Sequence, residues 1–153
     1  LTTIAFFQGV MAADTQATWA GNKTRCHKLF RLPNGGVMGG CGTADEINRA
    51  FNWLAKGAKG KPPKIPNSSL LIANPDGRAY SVTDKHWTWV EELGPAAIGS
   101  GMQAAICAMR HFEASAEEAV HAAASVDTYT SAPVETMAVE PKRAPKRRPA
   151  KSR

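Results

Sequence analysis

The sequence predicts a layered α+β domain. Three observations carry this. Short runs rich in β-branched and aromatic residues are bounded by Gly, Pro and Asn turns. Apolar residues recur at helical spacing after S/T-x-x-E patterns. The order is strands, helix, strands, two helices, strand, which does not alternate as a βαβ sheet would. The length of 153 residues suits one domain with a real core.

Thr2 to Phe7 (TTIAFF) reads as a strand, Gln8-Gly9 as a two-residue turn, and Val10 to Ala13 as the return strand of a hairpin. His27 to Leu32 alternates as a strand. Pro33-Asn34-Gly35-Gly36 is a turn, and Val37 to Gly40 is the next strand. Thr43 to Glu46 has the form of a capping box. The helix it opens, 43–56, places Ile47, Ala50, Phe51 and Leu54 on one face. Gly57 to Pro66 is a loop, Ser69 to Ala73 a strand, Asn74 to Gly77 a turn and Arg78 to Val82 a strand. Trp87 to Val90 has strand character. Gly99 to Gly101 leads into a helix over Met102 to Phe112. Ser115 to Glu118 is a second capping box, opening a helix that runs to about Val126. Val134 to Val139 is the last strand. No internal repeat is present.

Charge divides the chain in two. Residues 1–140 carry 12 Lys and Arg against 13 Asp and Glu, so the body is nearly neutral. Residues 141–153 hold seven basic residues, no acid and prolines at 141, 145 and 149. Such a segment cannot bury enough apolar surface to fold and is expected to be disordered. The domain assignment is therefore 1–140 for the folded unit and 141–153 for a basic tail. No stretch is apolar enough to span a bilayer. The opening LTTIAFF has no basic n-region and no cleavage motif, so no secretory signal is expected. Cys26, Cys41 and Cys107 are odd in number and widely spaced, which points to buried thiols in a reducing compartment, the cytoplasm.

The candidate chemistry starts at the N-terminus. A hydroxyl is a poor nucleophile until a base takes its proton, and a terminal Thr with a free α-amine carries that base within itself. The amine has an ordinary pKa of about 7.7–8.0, and a neighbouring ammonium lowers it by like-charge repulsion. Such a site needs a terminal Thr, a Lys, a carboxylate to hold the Lys, and a backbone N–H for the oxyanion. Taken alone, Thr2 reads as an ordinary strand residue. Cys26-His27 is not a dyad, because adjacent strand residues face opposite ways. His111 and His121 lie near or on helices beside Ala-rich faces, and Trp53, Trp87 and Trp89 read as core or interface residues.

Six blocks appear in one order: TTIAF, AADTQAT at 12–18, KLFRL at 28–32, GGCGTAD at 39–45, AIGSG at 97–101 and DTYTSAP at 127–133. The ordered set resembles the proteasome β subunits and bacterial HslV, over most of residues 2–139. The resemblance implies a four-layer αββα sandwich of the N-terminal nucleophile hydrolase type. It makes Thr2 the nucleophile, Asp14 the strand carboxylate and Lys28 the catalytic lysine. Gly39 becomes the oxyanion glycine, with Gly40 a close second. Ser100 falls on the serine that positions the amine, and Asp127 with Thr130 on the family's Asp-x-x-Ser pair, Thr replacing Ser. It also implies sodium bound by the backbone carbonyls of Ala124, Asp127 and Thr130. The implied protein is a threonine endopeptidase that acts on peptides or unfolded chains. It assembles as a homo-oligomeric ring and works with an ATP-dependent unfoldase. One departure is the short segment between the helix at 43–56 and the strand at 69–73, where the family has a second long helix.

Two other readings stand beside it. One is a different N-terminal nucleophile hydrolase, such as an amidase for small molecules. The other is a non-catalytic scaffold that binds nucleic acid or acidic partners through its tail. Leu1 precedes the threonine and would bury its amine in a peptide bond. The expectation is that Leu1 is removed, either as an initiator residue from an alternative start codon or as a one-residue propeptide.

Overall fold

The computed structural model describes residues 2–83 and 86–141. The expectations for Leu1 and for the basic tail fall on residue 1 and residues 142–153, outside the described residues.

Three sheets form, and all their neighbouring strands are antiparallel. The first has the order β10-β1-β2-β11, from β1 (Thr3–Phe7), β2 (Val10–Asp14), β10 (Ala96–Gly99) and β11 (Val134–Ala138). The second is a hairpin of β3 (Gln16–Trp19) and β4 (Asn22–Arg25). The third has the order β5-β6-β7-β8-β9, from β5 (Leu29–Arg31), β6 (Val37–Cys41), β7 (Ser69–Ala73), β8 (Ala79–Thr83) and β9 (Thr88–Glu92). The helices are α1 (Ala44–Ala55), α2 (Met102–His111) and α3 (Ala116–Ala124).

Strand alternation sorts side chains between two faces. Ile4, Phe6, Met11, Ala13, Ala96 and Ile98 of the first sheet pack against Leu29, Val37, Leu71, Ala73 and Ala79 of the third. The other face of the first sheet offers Ala5, Ala12 and Ala97 to Ala105, Ala108, Ala119 and Ala123 of α2 and α3. Alanine on both sides lets helix and sheet backbones approach closely. A third cluster sets Ile47 and Ala50 of α1 against Met38, Leu70, Ile72 and Val82 of the third sheet.

Four expectations need correction. The capping box at Thr43 does not form: Thr43 makes no side-chain cap bond. Its N–H donates instead to Ser68 Oγ, while Glu46 accepts from the Asn67 backbone N–H and side-chain amide. A loop donor distant in sequence outcompetes the local cap. The box at Ser115 and Glu118 forms in both directions. Cys26 and Cys107 are exposed rather than buried, because both lie on surface-facing positions of β4's end and α2. The strand expected from His27 begins at Leu29, since the backbone of residue 28 turns its N–H to a side chain. Finally, β3, β4 and β10 form where no strand was expected.

Candidate active site

The N-terminal end of β1, the end of β2 and the end of β10 meet at one end of the first sheet. Thr3 pairs with Gly99, and Ile4 with Ala13, so Thr3 lies beside Asp14. This register brings residues 3, 14 and 99 together from three separate strands.

Asp14 is fully buried. Its Oδ1 accepts from the Thr3 N–H at 2.9 Å and from Lys28 Nζ at 3.0 Å, and its Oδ2 accepts from the Gln16 N–H at 3.1 Å. Lys28 is also buried, with its side chain 7% exposed. A buried carboxylate is costly unless its lone pairs are filled. Three donors, one of them charged, fill them here.

A second cluster surrounds Asp127. Its Oδ2 accepts from Ser100 Oγ and Thr130 Oγ1, each at 2.6 Å, and its Oδ1 accepts from the Tyr129 N–H at 3.2 Å. Thr130 Oγ1 also lies 2.6 Å from Thr3 Oγ1. A hydroxyl has one proton. With the Thr130 proton given to Asp127, the Thr3 hydroxyl donates to Thr130. Burial pushes the Asp127 carboxyl upward, but the hydrogen bonds from Ser100, Thr130 and Tyr129 outweigh it and hold it below its ordinary value.

Thr3 joins the two clusters, with its N–H on Asp14 and its Oγ1 on Thr130. Sequence reasoning gave it no role. Thr2 is placed by its carbonyl, which accepts the Ser100 N–H at 2.8 Å and the Ser100 hydroxyl at 3.5 Å. Among the described residues, the Thr2 hydroxyl has no hydrogen-bond partner. The uncommitted hydroxyl thus belongs to the residue just before the one whose N–H Asp14 holds together with Lys28 Nζ.

The flanking glycines are part of the site and were also missed. Gly99 has φ +97°, and a Cβ there would overlap the Thr2 carbonyl. A Cβ on Gly101 would collide with Thr3 Oγ1 and with Ala123. The motif Gly99-Ser100-Gly101 was the signal: two residues without side chains let the chain close over Thr2 and Thr3.

Gly39 lies on β6. It pairs with Leu29 and Leu71, and a Cβ on it would meet Ile4 and Met11 between the sheets. The bare Cα therefore serves packing between the sheets. Gly40 is closer to the lysine, its N–H donating to the Lys28 carbonyl at 3.3 Å. Burial raises the pKa of the neighbouring Cys41 thiol, so it stays protonated at neutral pH and is no rival nucleophile.

No group of three or more His, Cys, Asp and Glu that could hold a metal occurs among the described residues. Ala124, Asp127 and Thr130 lie close together around the loop after α3. The Asp127 carbonyl accepts the Thr130 N–H at 3.1 Å, which leaves it one lone pair for a cation.

No protein-family model matches the sequence, and no curated protein matches it. Solved structures do. Thiobacillus denitrificans BPH in complex with epoxomicin is 22% identical, with TM-score 0.63, over 92% of this chain and 99% of that one. A second structure of Thiobacillus denitrificans BPH gives TM-score 0.60 at 22% identity, over 92% and 98%. Eukaryotic HslV from Trypanosoma brucei gives TM-score 0.66 at 16% identity, over 91% and 98%. The fold is that of the HslV and proteasome-type threonine proteases, as the six ordered blocks implied.

Proposed function

We propose that the protein is a threonine endopeptidase whose nucleophile is Thr2 Oγ1. The observation that carries this is the buried Asp14–Lys28 pair. The oxygen that holds Lys28 Nζ also holds the N–H of the residue that follows Thr2.

The chemistry needs the Thr2 amine free. It takes the proton from Oγ1 as the oxygen attacks the scissile carbonyl carbon. The Lys28 charge keeps the amine neutral and favours the developing alkoxide. The backbone N–H that would stabilise the oxyanion is assigned to Gly39 on β6, since the Gly40 N–H is already given to the Lys28 carbonyl. The protonated amine then gives its proton to the leaving peptide nitrogen, which leaves an ester on Thr2. Water, deprotonated by the same amine, hydrolyses the ester and restores the enzyme. Ser100, Asp127 and Thr130 orient the terminus during both halves. Sodium held by the carbonyls of Ala124, Asp127 and Thr130 would stiffen their loop and take no part in the proton transfers.

The wider proposal follows the fold. The three apolar clusters support an αββα layering in which, among the described residues, α1 covers the third sheet. No helix among the described residues is long and apolar enough to cross a membrane. A homo-oligomeric ring in the cytoplasm, fed by an ATP-dependent unfoldase, would confine the site to unfolded chains. The decisive experiment uses a chain that begins at Thr2. It should cleave a fluorogenic peptide and be inhibited by epoxomicin, while Thr2→Ala does neither. Hydrolysis of small amides but not peptides would favour the amidase reading instead.

A further inference from the structure

Lys28 lies just before β5, and a residue from the far end of the chain fixes its backbone. Glu135 sits on β11, paired with Ala13 of β2, the residue before Asp14. Its Oε1 accepts the Lys28 N–H and, at 3.2 Å, the Leu29 N–H. Its Oε2 lies 2.9 Å from His27 Nδ1. Two consecutive N–H groups on one carboxylate oxygen are a strong anchor, because each bond is charge-assisted. The Glu135 side chain is 19% exposed, whereas His27 is 91% exposed. The two backbone bonds are therefore the sheltered ones.

We infer that Glu135 is the positioning residue for Lys28, a carboxylate clamp that sets where the ammonium stands relative to Asp14. The inference rests on the hydrolase reading for its catalytic consequence, while the clamp can be tested without it. Ala13 and Asp14 are consecutive on β2, and Glu135 and Lys28 are linked through the clamp. One carboxylate thus fixes the lysine's main chain and the other its Nζ. A lysine has four rotatable bonds, and a free backbone at residue 28 would let Nζ drift from Asp14 Oδ1. Small displacements in such a site cost large factors in rate.

Reach and charge can be separated. Glu135→Gln keeps an acceptor oxygen at the same distance but removes the charge. Glu135→Asp keeps the charge but is one methylene too short to reach both N–H groups. Amide hydrogen exchange at Lys28 and Leu29, measured on the full chain, reports the clamp directly. The Asp variant should exchange about tenfold or more faster at both amides, and the Gln variant within about threefold of wild type. In peptide hydrolysis by chains beginning at Thr2, the Asp variant should lose about 10–100-fold in kcat with KM within about threefold, and Gln should retain most of kcat. Exchange unchanged in the Asp variant overturns the clamp. So does the reverse order, with Asp normal and Gln impaired. A Lys28→Ala chain that is inactive beside a fully active Glu135→Asp chain overturns the positioning role but spares the hydrolase reading. Hydrolysis that survives Thr2→Ala and Lys28→Ala overturns the hydrolase reading, and the catalytic half of the inference falls with it, while the exchange data still decide the clamp.

Discussion

No side chain fits between Gly99 and the Thr2 carbonyl. The two residues meet across the β10–β1 register, the Ser100 N–H closes on the Thr2 oxygen at 2.8 Å, and Gly99 adopts φ +97°. An alanine there would face steric overlap and a left-handed backbone together. Gly99→Ala is expected to cost on the order of 2–4 kcal/mol of stability, from strain plus displacement. It should also abolish hydrolysis by moving Thr2. Thermal melting and peptide cleavage check this, and a variant with wild-type melting and rate would show that Gly99 does not seat the terminus.

Thr2→Ala separates chemistry from folding. The hydroxyl has no hydrogen-bond partner among the described residues, so its removal should change stability by less than about 1 kcal/mol. The nucleophile itself is gone, and kcat should fall by on the order of 10³-fold or more. Residual turnover of several per cent, in a preparation free of contaminating peptidase, would sink the assignment.

Lys28→Ala should behave differently, because it damages both. It leaves Asp14 charged and buried with only two N–H donors. Breaking such a pair from one side typically costs about 3–5 kcal/mol. Lys28→Arg should rescue stability in part but not turnover, since a planar guanidinium does not fit a site built for a point charge. Denaturant midpoints and kcat read the two effects separately. A fully active Lys28→Ala chain would mean that the amine is tuned by something else.

Much of this arrangement could be read from local sequence, and the rest had a physical reason to stay hidden. β1, β2, β6, β7, β8 and β11 are short runs with apolar residues bounded by turns, which is a local signal. β10 is Ala-Ala-Ile-Gly, weak in strand propensity, and it exists because β1 pairs with it. The β3–β4 hairpin is largely solvent-facing, so no apolar alternation marks it. Its only cue was the Ala20-Gly21 turn, where both residues have positive φ. Thr2, Asp14, Lys28, Ser100, Asp127 and Thr130 were singled out through ordered motif blocks, and hydrogen bonds link Asp14 to Lys28 and Asp127 to Ser100 and Thr130. Glu135 could not be found that way. Its bonds to Lys28 and Leu29 span more than a hundred residues, and a glutamate in a strand has nothing local to distinguish it from a solvated one.

The acid limb of stability should report Asp127. Burial raises this carboxyl, but the Ser100, Thr130 and Tyr129 donors win and hold it below its ordinary 3.8. A depressed carboxyl contributes stability that is complete above the unfolded value and is lost as pH falls through the folded one. Asp127→Asn cannot ionise and lacks that contribution. The stability gap between wild type and Asp127→Asn should therefore be constant near neutrality and close progressively in acid. Urea midpoints from about pH 6 down to about pH 2 would show this. A gap that stays constant into acid would mean that the hydroxyl bonds do not depend on the charge.

The last expectation concerns the amine that the mechanism needs. Thr2 can act as its own base only when no residue is joined to its nitrogen, and the sequence places Leu1 there. An amide nitrogen has no basic lone pair, so a chain that retains Leu1 could keep the whole Asp14–Lys28 arrangement and still be inert. Two routes free the amine: cleavage before Thr2 by a separate enzyme, or self-cleavage before Thr2. In self-cleavage, Thr2 Oγ1 would attack the Leu1 carbonyl, and the resulting ester would be hydrolysed to free the amine. The routes differ in their dependence on Thr2. Intact mass and N-terminal sequencing of natural protein should give a chain beginning at Thr2. A Thr2→Ala chain should retain residue 1 under self-cleavage, whereas excision by a separate enzyme would still remove it. A homogeneous and active protein that still carries residue 1 would refute the self-base mechanism.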